Sequence, residues 1–265
     1  MNDEMLQVVK TTRGILKQLC SCFEEAFGGE AVIDELMERR KYKSEKMRTL
    51  LLSKGIFKMP TLHEVQLTAL ANNIRLTAPV LRQLGLVSDS GDYFLEDRYA
   101  IPLCDWTGNP IALVCWYPDA RKYITTTTYG FTATATFFNM QSYPKAVQPD
   151  GSTTVFVVEG IFDALSVESL GYCCLGNQGL DMSPIKKLML QRFDRVIFIP
   201  DNDRPGRMSN PYLTIRSSHH WELPNSRMVA LTGKIKDMDD FIKYLGIEDL
   251  EFIRQANTHL LKIDT

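Results

Sequence analysis

Two short stretches of this chain carry carboxylates where chemistry can be done. In Val155-Phe-Val-Val-Glu-Gly160 a glutamate follows an apolar, β-branched run and precedes a glycine. In Val196-Ile-Phe-Ile-Pro-Asp-Asn-Asp-Arg-Pro-Gly-Arg207 an Asp-x-Asp follows a second such run. Read as parallel strands, both runs deliver their acids to the carboxyl edge, where open α/β sheets bind ligands. Asp201 and Asp203 are two apart, so in extended chain their side chains point the same way. Asp163 lies one helical turn beyond Glu159 and can face the same cluster. A third apolar run, Met228–Leu231, leads to Gly233-Lys-Ile-Lys-Asp-Met-Asp-Asp240 and adds Asp237 and Asp239. Carboxylates gathered at one edge repel each other, and hard divalent cations with oxygen ligands relieve that repulsion. Mg²⁺, or Mn²⁺ in its place, is the expected occupant. Any one acid at a strand end is an ordinary turn or cap residue; the combination in register is what marks these. Arg204 and Arg207, beside the Asp-x-Asp, either serve a bound anion or pair with the carboxylates.

The elements that must position these acids follow from the hydrophobic rhythm. Val155–Val158, Tyr172–Leu175, Val196–Ile199 and Met228–Leu231 alternate with helical stretches near Phe162–Leu170 and Ser183–Phe193, the pattern of a parallel sheet covered by helices. Ile247–Leu261 reads as one more amphipathic helix. Before this region the rhythm is of strands: Tyr93–Leu95, Tyr99–Cys104 and Ile111–Trp116, with turn chemistry at Trp106–Pro110 between the last two. Tyr123–Phe138, rich in threonine and aromatics, favours strand or extended loop, and Gln148–Ser152 reads as a linker. The amino-terminal part is helical, with helices over Met5–Phe27, Ala31–Arg40, Ser44–Ser53, Leu62–Asn72 and Thr77–Leu84 and stops at Gly28-Gly29 and Gly55. The expected fold class is therefore α/β within an α+β whole. Its segments are a helical region (1–75), a mixed α+β subdomain (76–150), a parallel-sheet domain (151–245) and a terminal helix (246–265).

Composition bounds the function further. Of 265 residues, 30 are basic and 32 acidic, a net charge of −2 that excludes a polycationic coat but not a local basic patch. No apolar run approaches the roughly 20 residues that span a bilayer, and the start, with its early acids, does not read as a signal peptide. No membrane association and a cytoplasmic location are expected. The six cysteines (Cys20, Cys22, Cys104, Cys115, Cys173 and Cys174) form no CxxC pair, so reduced packing thiols and no zinc are expected. Glu38–Arg48 is dense in lysine and arginine; it either grips a nucleic-acid backbone, in a salt-sensitive and sequence-blind way, or is a solvated helix face. The four histidines have no ligand-like spacing.

VVEGIFDALS followed by IPDNDRPGR resembles a Toprim domain, the metal-binding α/β module of DnaG-like primases, topoisomerases and some nucleases. LRQLGL, EDRYAIPLCDWTGNPIAL and ARKYITTTT resemble the amino-terminal half of the DnaG-like primase catalytic core, and KIKDMDDFIK resembles that family's last acidic segment. The resemblance spans about residues 77–245; residues 1–75 lie outside it. It implies Mg²⁺-dependent nucleotidyl transfer on a single-stranded DNA template, with nucleoside triphosphates joined into short RNA primers. Carried over by position, Glu159, Asp163, Asp201, Asp203, Asp237 and Asp239 would form the metal site, with Glu159, Asp201 and Asp203 at the catalytic centre. Glu159 is also a candidate for handling a proton at the reacting oxygen. Arg98, Arg121 and Lys122 match basic positions flanking the family's groove for template and nucleotide.

The chain also departs from that family's pattern. No zinc ribbon and no helicase or helicase-binding domain can be read in it, and no basic counterpart stands out in Phe131–Asn139. A separate zinc-binding protein or a replicative helicase would then be a partner, in a phage, plasmid or other mobile element. The alternative is that the same site serves a Mg²⁺-dependent nuclease or a catalytically weak DNA-binding subunit. A topoisomerase is disfavoured, since it needs a large strand-passage domain with a nucleophilic tyrosine. The amino-terminal half favours the primase, because nucleases with Toprim domains generally lack it.

Overall fold

Asn2 opens helix α1 (Asp3–Phe27), its side chain accepting a hydrogen bond from the Met5 N–H at 2.9 Å. The structure, a computed structural model, describes residues 2–118, 122–126, 128–130, 135–178, 182–201, 226–228 and 236–245. Two units divide the chain: Met1–Lys41 with Leu51–Thr132, and Tyr42–Leu50 with Ala133–Thr265.

In the first unit, α1 buries Leu16, Leu19 and Phe23 on one face, as its apolar spacing requires. It ends at Gly28, where an added Cβ would meet the Glu24 carbonyl oxygen at 2.4 Å. Helix α2 (Glu30–Arg40) follows, then α3 (Glu45–Ser53), whose last residues return to this unit. Strand β1 (Phe57–Lys58) leads to α4 (Leu62–Ala71). A reciprocal capping box between Thr61 and Glu64 starts α4; such a cap is worth about 1 kcal/mol. Helix α5 (Ala78–Gln83) has Pro79 in its first turn, where the missing N–H costs nothing.

The unit's sheet is antiparallel, in the order β1-β2-β3-β4, with β2 (Tyr99–Cys104), β3 (Pro110–Tyr117) and β4 (Lys122–Thr125). Every residue of β2 is buried. Phe23 of α1 meets Phe57 edge-on at 5.5 Å in the core beneath. Tyr93–Leu95, expected as a strand, is irregular instead. Its place beside β2 is taken by Phe57–Lys58, which pair with Ala100 and Tyr99. Met59 then exchanges backbone hydrogen bonds with Asp97 and Arg98. Leu95 is still buried, so the apolar spacing of that stretch reflects packing rather than a ladder.

The second unit carries the parallel sheet, in the order β6-β5-β7-β8. Its strands are β5 (Thr154–Val158), β6 (Cys174–Gly176), β7 (Arg195–Ile199) and β8 (Ser226–Met228), and every pairing is parallel. The helices are α6 (Ile161–Ser169), α7 (Pro184–Leu190) and α8 (Met238–Leu245). Gln148–Ser152 is a turn closed by backbone hydrogen bonds from Gln148 to Ser152 and from Gly151 to Gln148. A 3₁₀ helix, Met140–Ala146, precedes it; the sequence reading did not anticipate it. The expected helix over 247–261 lies outside the described residues, as do Arg121, Asp203, Arg204 and Arg207.

The chain is a mixed α+β protein with a helix-bearing parallel sheet. Its six cysteines are free, and burial pushes the Cys104 thiol up to about 11 and the Cys115 thiol up to about 12, as inert packing thiols require. No helix among the described residues is long and apolar enough to cross a membrane.

Candidate metal centre

The strand order decides where the acids meet. From β5 the chain crosses to β6 on one side, and α7 then returns it to β7 on the other. The loops leaving β5 and β7 therefore diverge, which opens a crevice at their carboxyl ends. Val158 pairs with Ile199, so Glu159 and Asp201 both emerge at that crevice. The Asp201 N–H donates to Oε1 of Glu159 at 3.1 Å. The Glu159 carbonyl accepts from Gln178 N–H at 2.9 Å, which ties it to the end of β6.

Asp163 sits in the first turn of α6 and is 7% exposed. A Cβ at position 160 would lie 2.2 Å from Oδ2 of Asp163, so glycine lets that carboxylate fold back against the start of α6. The other oxygen, Oδ1, accepts from the Asp239 N–H at 2.9 Å. Burial, then the negative charges of Asp237 and Asp201, push the Asp163 carboxyl well above the usual carboxylate range.

Helix α8 supplies the remaining acids. Asp237 caps it, Oδ1 accepting from Asp240 N–H at 2.7 Å. Oxygens of Asp237, Asp239 and Asp240 lie within 4.8 Å of one another. Burial and Asp237 raise the Asp240 carboxyl. Lys236 Nζ stands 3.4 Å from both Asp201 and Asp237. A half-exposed ammonium at that distance offsets little of the charge. A buried acid pushed towards protonation by neighbouring acids, with oxygens converging from α6, α8 and β7, fits a hard divalent cation.

Thus Glu159, Asp163, Asp201, Asp237 and Asp239 come together in one place. Asp240, Lys236, Ser166 and Tyr42 join them and were not singled out from sequence. Asp240 was legible as the third acid of Asp237-Met-Asp-Asp240. Tyr42 carried no local signal, because its partner is 197 residues away.

The basic candidates fare differently. Arg98, just before β2, donates from Nε to the Phe94 carbonyl at 3.0 Å and stacks on Tyr117 at 5.5 Å. Its Nη1 is buried and makes no hydrogen bond among the described residues. Lys122 opens β4 opposite Tyr117. In the run Glu38–Arg48, Arg39, Lys41, Lys43 and Lys46 are exposed, while Arg40 and Arg48 are half-buried. Arg39 pairs with Glu35 at 2.9 Å, Arg40 lies 5.3 Å over Trp116, and Tyr42 and Met47 are buried.

At the end of β6, Lys186 of α7 is 3% exposed. It donates to the carbonyl and side-chain oxygens of Asn177 at 2.7 and 3.0 Å and lies 5.1 Å over the Phe137 ring. Burial brings its ammonium down to about 8.

Neither a protein-family model nor a curated protein matches the sequence. Solved structures do. The RNA polymerase domain of Mycobacterium tuberculosis primase DnaG superposes with a TM-score of 0.73 at 16% identity, over 95% of this chain and 84% of that one. A DnaG primase catalytic domain bound to single-stranded DNA gives 0.70 at 18% identity, over 94% and 82%. The Aquifex aeolicus primase, with zinc-binding and RNA polymerase domains, gives 0.71 at 21% identity, over 94% of this chain and 60% of that one. Coverage this complete takes in the amino-terminal helices, which the sequence resemblance had left out. The chain has the fold of the DnaG-type primase catalytic core.

Proposed function

We propose that this protein is a DNA primase-type nucleotidyltransferase, joining nucleoside triphosphates into short RNA primers on single-stranded DNA. One observation carries the reading: five carboxylates from β5, α6, β7 and α8 converge at the crevice of a parallel sheet, in a chain with the primase-core fold. In this reading residues 76–150 are the primase-like subdomain and residues 151–245 the Toprim domain, with 1–75 and 246–265 flanking them.

Glu159, Asp163, Asp201, Asp237 and Asp239 would hold Mg²⁺ or Mn²⁺, with Asp203 completing the set. Bound there, the cation would supply a lowered pKa for the attacking 3′-hydroxyl and charge neutralisation at the leaving pyrophosphate. The remaining work belongs to the chain. Glu159, whose Oε1 accepts from the Asp201 N–H, would take the proton of the 3′-hydroxyl. Asp163, held by Asp239, fixes α6 against α8. Arg98, its guanidinium stacked on the Tyr117 ring, is a candidate for a contact to nucleotide or template. Arg121, Lys122, Arg204 and Arg207 are the further candidates for contacts to nucleotide or template. A replicative helicase or a separate zinc-binding protein would be its natural partners, in the cytoplasm of a bacterium or a phage-infected cell.

The test is incubation with single-stranded DNA, Mg²⁺ or Mn²⁺ and labelled ribonucleotides, beside Asp201→Asn. Short labelled oligomers from the parent alone are expected. Metal-dependent cutting of the template without oligomers would replace the reading by a nuclease, and neither product would make the chain a non-catalytic subunit.

A further inference from the structure

Tyr42 belongs to the segment that leaves α2 through Lys41, a non-glycine residue at φ +59°. It is 7% exposed, with its ring 6.5 Å from Phe162 of α6. Its hydroxyl donates to Oδ1 of Asp239. The same oxygen receives Ser166 Oγ from α6 at 3.3 Å. Lys243, one turn along α8, reaches Oδ2 and lies 5.2 Å over the Tyr42 ring. Both oxygens of Asp239 are thus engaged, and Asp239 in turn donates its N–H to Asp163. A phenol is an unusual expense in a packed interface unless its oxygen has a partner. Here the partner is a carboxylate of the acidic site, and a hydrogen bond to an ionic group is both stronger and more directional than a neutral one.

We propose that Tyr42 is a positioning residue for the metal centre: its hydroxyl, with Ser166 and Lys243, sets the Asp239 carboxylate and through it the orientation of Asp163. This rests on the acidic cluster being a metal site, as argued above. An amino-terminal residue outside any acidic motif then tunes the affinity of the centre. With the hydroxyl gone, Lys243 pulls on Oδ2 with one fewer opposing donor at Oδ1, and the carboxylate turns away from the cluster. Ser166 acts on the same oxygen, so its loss works in the same direction.

The measurement is Mn²⁺ binding to the full chain without DNA or nucleotide, followed by the free-ion electron paramagnetic resonance signal. Tyr42→Phe, which keeps the ring, and Ser166→Ala are compared with the parent and with Asp201→Asn. We expect Tyr42→Phe to weaken Mn²⁺ binding about tenfold or more, the usual effect of losing an outer-shell partner. We expect Ser166→Ala to weaken it less, and the double variant to be non-additive. Circular dichroism identical to the parent separates this from unfolding; should Tyr42→Phe not fold, Ser166→Ala decides by the same criterion. If both variants bind Mn²⁺ as the parent does while Asp201→Asn has lost it, Tyr42 is a packing residue and the inference falls alone. If Asp201→Asn also binds normally, the metal centre itself is misassigned and the inference falls with it.

Discussion

The backbone N–H of Asp201 donates to Oε1 of Glu159 at 3.1 Å, across 42 residues of sequence. The bond exists because β5 and β7 are neighbours in a sheet whose order departs from chain order. Substitutions that keep this backbone contact therefore report on charge rather than on architecture.

Glu159→Gln and Asp201→Asn retain the Asp201 N–H as donor and an oxygen acceptor at position 159. We expect both to fold and to lose Mg²⁺-dependent synthesis by at least two orders of magnitude, about 3 kcal/mol of transition-state stabilisation. Single-turnover primer synthesis measures this. Normal turnover by either variant would remove it from the centre.

Asp163→Asn should raise the metal-free thermal midpoint at neutral pH. The folded carboxyl stands above its ordinary value of 3.8, through burial and then the charges of Asp237 and Asp201. Its ionisation therefore costs no stability below 3.8 and a growing amount as pH rises through the raised value. The gap between variant and parent should widen from acid towards neutral pH, at about 2–4 °C per kcal/mol relieved. Melting curves in chelator across pH check the sign.

Gly160→Ala places a methyl carbon where Oδ2 of Asp163 now lies, 2.2 Å away. The carboxylate or the start of α6 must move. We expect a loss of about 1–3 kcal/mol in stability and a larger loss of Mn²⁺ affinity than of fold, read by titration calorimetry beside denaturant melts. Mn²⁺ affinity falling only in step with stability would overturn the close approach as the reason for the glycine.

Lys236 competes with any cation for Asp201 and Asp237, from 3.4 Å to each. Removing its charge in Lys236→Met should tighten Mn²⁺ binding about two- to fivefold, the range of a part-exposed ion pair. The same titration measures it. Weaker binding instead would mean that Lys236 holds the two acids in place.

Lys186 supplies a pH dependence away from the acids. Its folded value is about 8 against an ordinary 10.5, lowered by burial. Below 8 the buried ammonium is a cost to the fold; from about 8 to 10.5 the folded chain gives up the proton before the unfolded one, and the cost fades. The parent should therefore gain stability relative to Lys186→Met over that window. Parallel thermal melts test it, and parallel pH profiles would overturn it.

Much of this protein was legible in its residues. Uninterrupted β-branched runs such as Val155–Val158 and Val196–Ile199 have no polar face to give to water, and their alternation with helical stretches marks them as interior strands of a parallel sheet. Their carboxyl-end acids had to share an edge, because strands joined by crossover helices run the same way. The helices of the first 72 residues were equally readable, from three- and four-residue spacing bounded by Gly28-Gly29 and Gly55. Local chemistry, repeated at short range, carries that information.

What lay beyond it depended on distance. Phe57–Lys58 has too few residues to announce a strand, and only β2 alongside makes it one. Asp240 and Asp239 have the same side chain and adjacent positions, yet Asp240 gives its backbone N–H to the Asp237 carboxylate while the Asp239 carboxylate is enclosed by Tyr42, Ser166 and Lys243. Within the basic run, only the fold shows that Arg40 lies over Trp116, some 76 positions away, while Lys41, Lys43 and Lys46 stay exposed. A sequence states which groups a chain owns and the period at which they recur. Which of them face one another across many tens of residues is decided by strand order and helix packing, and the charge and hydrogen bonding of a site are set by those long-range neighbours.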